Sequence, residues 1–297
     1  MDKIIRAITH EGSFLIAAID STELVSVAQQ VHDLSATASA VLGRALTGAS
    51  IMGAMLKQEK ASVTLKFNGG GPIGDVIAIS DSRGNVRGFV NEPQLELPIR
   101  ADGKLDVSGA VGVNGRLGII RDYGTGEPYV GQIELVSGEI AEDITNYYAR
   151  SEQVPTVCAL GVLVDKDSKN VILAGGLLIQ ALPGVFDEEL TKLEKNLETL
   201  EPVTTMLAKG MTPIDMMKEA MKGFEVDVLD EMPVHYACTC SKEKYAAALM
   251  TLGRKEILSL PFYNGNVEAV CPYCSKKYLF SREEIAEIAE KAVVSNQ

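Results

Sequence analysis

Four of the chain's five cysteines stand in two tight pairs, Cys238-Thr-Cys240 and Cys271-Pro-Tyr-Cys274, separated by thirty residues. Each pair can bring two sulfurs to one ion, and a tetrahedral Zn²⁺ with ~2.3 Å Zn–S bonds is satisfied by four thiolates, with no position left for substrate. One Zn²⁺ per reduced chain, held by Cys238, Cys240, Cys271 and Cys274, is the expected centre. Such a site is structural or regulatory rather than hydrolytic. Cysteines paired this way in a chain without an export signal are more often ligands than resting disulfides. His235 lies three residues before Cys238, but four thiolates already complete the tetrahedron, so it reads as a surface or packing residue.

Thiolates are also the species that peroxide attacks, passing through sulfenic acid to a disulfide with a neighbouring thiol. A sulfur locked in a disulfide no longer serves as a full thiolate ligand. Oxidation therefore expels the metal, and a segment of some sixty residues has too small a core to stand without it. The spacing permits a redox switch without demanding one, because many tetrathiolate sites are inert. Cys158, in the apolar run VPTVCALGVLV, is expected to be a buried, unreactive thiol.

The elements that position these residues follow from patterning. Period-two runs (IIRAIT, FLIAAID, SVTLKF, DVIAIS, GQIELV) alternate with turn clusters, and fifteen of the 27 glycines fall between Gly69 and Gly138. Helical patterns cover Glu23 to Leu34, the small-residue-rich Ser35 to Gln58, and Glu139 to Ser151, so the class is α+β. Strands return in VCALGVLVD and NVILAGGLLIQAL. From Pro183 onward the strand signals stop. Leu190, Leu193, Leu197 and Leu200 form one helical stripe. A second helix starts at Thr212, which can cap ahead of Pro213, and presents Ile214, Met217, Met221 and Phe224. Six of the ten methionines lie between Met206 and Met232; they suit core gap-filling or promiscuous contacts equally.

Charge divides the chain further. Residues 180–231 carry five basic and twelve acidic side chains, whereas 232–297 carries eight and seven. The expected organisation is an N-terminal α+β domain over 1–179 with antiparallel sheets and packed helices, a helical linker over 180–231, and a small zinc domain over 232–297. The net charge of −12 disfavours a nucleic-acid partner. A zinc ribbon bound to nucleic acid is the alternative reading, but residues 232–297 offer little positive footprint once the thiolates are counted. CPYC also occurs in thiol oxidoreductases, though the βαβ context of those enzymes is missing around Cys271. With only His10, His32 and His235 available, no catalytic triad assembles, so no enzyme is expected. NGGGPIGD (Asn68 to Asp75) lacks the phosphate-loop pattern and reads as a hairpin or bulge, and Arg116 and Arg121 read as solvated strand residues. The first twenty residues do not read as a signal peptide and no stretch is long and apolar enough to span a bilayer, so no membrane and a cytoplasmic location are expected.

CTCSKEKYAAALMTLGRKEI together with GNVEAVCPYCSKKYLFSREEI resembles the zinc domain of the heat shock protein 33 family, the redox-regulated 33 kDa chaperonins. GRALTGASIMGAMLK, LKFNGGGPIGDVIAISDSRGNVRGFV and YYARSEQVPT are similar to that family's N-terminal domain, so the likeness runs end to end. All four cysteine positions match the family's ligands and redox sensors. The resemblance implies an ATP-independent holdase, inactive while reduced and zinc-bound. It implies that oxidation joins Cys238 with Cys240 and Cys271 with Cys274, that zinc leaves, and that the zinc domain and linker unfold. It also implies a homodimer in the oxidised state, unfolding client proteins as partners, and hand-over to downstream refolding chaperones. Met217, Met221 and Phe224 are then candidates for a client or linker surface.

Overall fold

The computed structural model describes residues 1–292. The last five residues of the segment 232–297 lie outside the described residues. Two compact units divide the chain between Ala237 and Cys238.

In the first unit, β1 (Lys3–Thr9) and β2 (Phe14–Asp20) lead into α1 (Thr22–His32) and α2 (Ala36–Ala54). Then come β3 (Ser62–Asn68), β4 (Val76–Asp81), β5 (Val86–Val90), α3 (Val107–Val111), β6 (Arg116–Asp122) and β7 (Tyr129–Glu134). α4 (Ala141–Tyr147) runs into a π-helical turn, Tyr148–Glu152, before the hairpin of β8 (Thr156–Val164) and β9 (Val171–Ala181). α5 (Asp187–Glu198), α6 (Val203–Ala208), α7 (Pro213–Ala220) and β10 (Val226–Pro233) complete the unit. The strands form two five-stranded antiparallel sheets, ordered β10-β1-β2-β9-β8 and β5-β4-β3-β6-β7.

α2 touches strands of both sheets, and every residue from Thr37 to Ala54 except Arg44 is buried. A helix walled in on all sides must be apolar all round, and close approach requires small residues. A Cβ at Gly43 would lie 2.6 Å from Val25, and one at Gly53 would lie 2.4 Å from the Asp81 carbonyl. Sheet β10-β1-β2-β9-β8 is itself covered on both faces. Ile4, Ala17, Ile19 and Leu178 join the core around α2, whereas Ile5, Ile16, Ala18, Leu177 and Ile179 join a second core with α5–α7. Burial on both faces explains why FLIAAID and LLIQAL read as near-continuous apolar runs rather than alternating ones.

Several expectations are corrected by the structure. Strand formation does not stop at Pro183: Val226–Pro233 pairs antiparallel with β1, and Lys3 of β1 and His10 just after it meet Glu231 and Asp227 at 2.8 and 2.9 Å. The acidic character of residues 180–231 is thus partly that of an edge strand facing basic side chains, and Arg6 completes the set against Asp230. α6 lies between the two helices expected there. Arg121 is not solvated: its side chain is 12% exposed, pairs with Glu152 at 2.7 Å and stands over the rings of Tyr147 and Tyr148. Arg116 is exposed, as expected. Residues 68–75 do connect two strands, β3 and β4, and no described helix is long and apolar enough to cross a membrane.

One carboxylate here couples folding to pH. Asp2 is 5% exposed and accepts the amide N–H groups of Glu23 and Leu24 at the start of α1. Burial raises its pKa to about 6, against the pull of those two amides. The folded unit therefore holds a proton that the unfolded chain has released between pH ~4 and ~6, so this group's contribution to stability declines as pH rises through that window and is flat above it. Denaturant titrations should show Asp2→Asn removing up to ~3 kcal/mol of pH dependence between pH 4 and 6. Identical slopes for the two proteins would refute this assignment.

Candidate metal centre

The second unit, from Cys238 onward, consists of α8 (Lys242–Met250), α9 (Arg254–Leu258), a hairpin of β11 (Asn266–Val270) and β12 (Lys277–Ser281), and α10 (Arg282–Lys291). Among the described residues its core is small: Ile257, Val267, Tyr278, Phe280, Ile285, Ile288, Ala289 and Ala292. Two local devices set the cysteines. Cys238-Thr-Cys240 runs directly into Ser241, which caps α8 by accepting the Lys244 N–H. Cys271-Pro-Tyr-Cys274 occupies the bend of the hairpin, where the Cys271 N–H donates to Lys276 and the Ser275 N–H donates to Cys271. Ser275 takes a left-handed φ of 57° to close that bend.

All four sulfurs lie within 4.8 Å of one another. Cys238 Sγ is 3.7 Å from Cys271 Sγ, and Cys240 Sγ is 3.4 Å from Cys274 Sγ. Four thiolates ~2.3 Å from a tetrahedral ion sit about 3.8 Å apart, so the cluster has the size and the donor chemistry to hold a metal ion. Both of these approaches run between the pairs.

Without an ion, burial opposes charge on these sulfurs. It holds Cys238 above the ordinary thiol range, and with crowding by the other sulfurs it holds Cys274 higher still. Cys271 goes the other way: its burial is outweighed by hydrogen bonds from the Tyr245 hydroxyl, the Tyr273 amide and neighbouring thiols, which lower it. A bound dication brings enough charge to deprotonate all four.

The remaining candidates lie elsewhere. His235 is exposed and belongs to the first unit. Cys158 is buried in β8, where burial pushes its thiol up to about 12, so it is inert as expected. Met217 and Met221 are each 1% exposed in the core shared by α5–α7 and the sheet. Phe224 is half-buried, edge-on to Phe14 at 5.5 Å, with the Lys192 ammonium 4.2 Å above its ring. The methionine stripe is therefore covered in this state. Sequence reasoning missed Tyr278, whose hydroxyl lies 3.0 Å from Cys240 Sγ. Its position, four residues after Cys274 in an apolar strand, was the available signal.

Comparison with known proteins places the whole chain in one family. The family model described as Hsp33 protein matches residues 2–281. The 33 kDa chaperonin of Acetivibrio thermocellus is 43% identical over 289 residues, covering 97% of each chain. That of Bacillus subtilis is 41% identical over 291 residues, covering 98% of this chain and 99% of its own. The crystal structure of the 33 kDa chaperonin from Thermotoga maritima superposes with a TM-score of 0.88 at 37% identity, covering 97% of this chain and 98% of that one. With the family model, the full-length relatives and the fold in agreement, the chain belongs to the Hsp33 family.

Proposed function

We propose that this chain is a redox-switched, ATP-independent holdase of the cytoplasm, whose reduced form is kept inactive by one Zn²⁺ on Cys238, Cys240, Cys271 and Cys274. The observation that carries the reading is the convergence of four thiols within 4.8 Å in a unit whose core, among the described residues, comprises eight buried side chains. Zinc, when bound, supplies the cross-link that such a core lacks, on the order of 10 kcal/mol or more in zinc-finger peptides. Peroxide removes two electrons from each pair of sulfurs. The expected products, from the family resemblance and the sequence spacing, are the disulfides Cys238–Cys240 and Cys271–Cys274. All four sulfurs lie within 4.8 Å of one another, so each thiol has a partner close by, and once its sulfurs are tied in disulfides the unit is proposed to lose the metal and with it the fold.

The segment 180–231 is proposed to loosen with it and to become a client surface. α5 fully buries Leu193 alone, with Leu190 and Leu197 partly buried against the same core, and is held by side-chain contacts from an otherwise exposed surface, Ser13 to Glu189, Lys192 to the Gly223 carbonyl and Asn196 to the carbonyls of Ala220 and Lys222 among them. Elements with so little fully buried surface are drawn from the low-stability end of a fold. Release bares Met217, Met221 and Phe224, adaptable side chains suited to varied unfolding clients. Homodimerisation after oxidation and hand-over to refolding chaperones complete the proposal, and catalysis has no part in it. The near-neutral charge around the cluster gives no support to the nucleic-acid alternative.

The test pairs two assays on one sample. Peroxide with mild heating should release about one zinc per chain and suppress aggregation of an unfolding client. Equal suppression by reduced, zinc-loaded protein would contradict the switch.

A further inference from the structure

The phenol of Tyr278 brings to the cluster a hydrogen bond that neither ligation nor pairing of the hairpin strands supplies. Tyr278 stands on β12 opposite Ala269 of β11 and is 7% exposed. Its ring packs against that of Tyr245 from α8, centroids 5.1 Å apart, and its hydroxyl reaches Cys240 Sγ at 3.0 Å. The Lys276 ammonium lies 5.5 Å from the ring centroid, a placement that draws electron density from the phenol and strengthens it as a donor. A thiolate carries no proton, so in the charged cluster the phenol must donate and Cys240 must accept.

We propose that Tyr278 is a positioning residue that sets the oxidant threshold of the switch by holding Cys240 in its least reactive state. This rests on the redox reading given above. Oxidation begins when a thiolate lone pair attacks hydrogen peroxide: an S–O bond forms, the O–O bond breaks, and hydroxide leaves to be protonated. The second thiolate of the pair then attacks the sulfenic sulfur, an S–S bond forms, and the S–O bond breaks with loss of a second hydroxide. Two electrons pass from the two sulfurs to one peroxide. In the first step charge drains from sulfur, so a donor already bound to that sulfur stabilises the thiolate more than the transition state. Cys240 is thereby slowed both as the attacking sulfur and as the resolving partner of Cys238.

Tyr278→Phe keeps the ring in its core and removes only the donor. The full-length, reduced, zinc-loaded variant should retain one zinc per chain and the wild-type melting profile, yet release zinc to a chromogenic chelator about three- to tenfold faster under dilute hydrogen peroxide. In the cobalt-substituted protein its sulfur-to-metal charge-transfer band should move to lower energy, because an unshielded thiolate gives up charge more readily. A wild-type release rate with an unmoved band would overturn the proposal. So would loss of zinc or of fold without oxidant, which would make the phenol a plain structural support. A wild-type protein that neither releases zinc nor gains client binding with peroxide defeats the redox reading itself, whereas a switching wild type with an indifferent variant defeats only the role of Tyr278.

Discussion

Cys271→Ser abolishes metal retention and melts the C-terminal unit while the first unit stays folded. The serine hydroxyl is not a thiolate donor at neutral pH, three sulfurs leave the tetrahedron open, and Cys271 is both the most buried member of the set and the one whose thiol is lowered. The lost contribution, on the order of 10 kcal/mol, exceeds the whole stability of most small domains. Metal analysis of the reduced full-length variant should read well below one equivalent of zinc, and calorimetry should show the transition of residues 1–237 without that of the second unit. Cys158→Ala, altering a thiol buried in a different unit, should keep one equivalent. Full zinc content in Cys271→Ser would remove the cluster from the account.

The second large effect concerns the covered stripe. Met217→Ser combined with Met221→Ser puts two hydroxyls into a core where each methionine is now 1% exposed. Lost burial and unpaired hydroxyls cost roughly 2–5 kcal/mol per site. The damage falls on the core between α5–α7 and the sheet, whereas the larger core around α2 lies on the opposite face. The reduced variant should be cut by protease within residues 187–225 at least tenfold faster than the parent and should suppress client aggregation without peroxide. Unchanged proteolysis and unchanged client binding would return these methionines to ordinary packing.

The cluster was legible because its information is local. CxC and CxxC each fix two sulfurs within a few residues, and only their convergence needed coordinates. α1, α2 and the β8–β9 hairpin were legible for the same reason, their patterns lying inside single segments. β10 was not. As an edge strand with one face exposed, it carries acids between its valines, VDVLDEMP, and its partner lies over two hundred residues away in β1. Its strand character comes from pairing with a basic neighbour more than from its own pattern. α6 is six residues long, too short for a helical period to show. Arg121 looked like any charged strand residue until the end of α4 and the π-helical turn after it brought Tyr147, Tyr148 and Glu152 around it. The bond from Tyr278 to Cys240 joins a strand to an extended segment 38 residues before it, which no window on the sequence spans.

The proposed dependence of the second unit on a sulfur-held metal is measured most directly by amide hydrogen exchange on the full-length chain, reduced with zinc and again after peroxide. The account predicts slow exchange in β11, β12 and α10 of the reduced protein, and exchange at near random-coil rates from residue 238 onward after oxidation and zinc loss, with α2 and its two sheets still protected. Oxidised, zinc-free protein that keeps its protection in β11, β12 and α10 would contradict it.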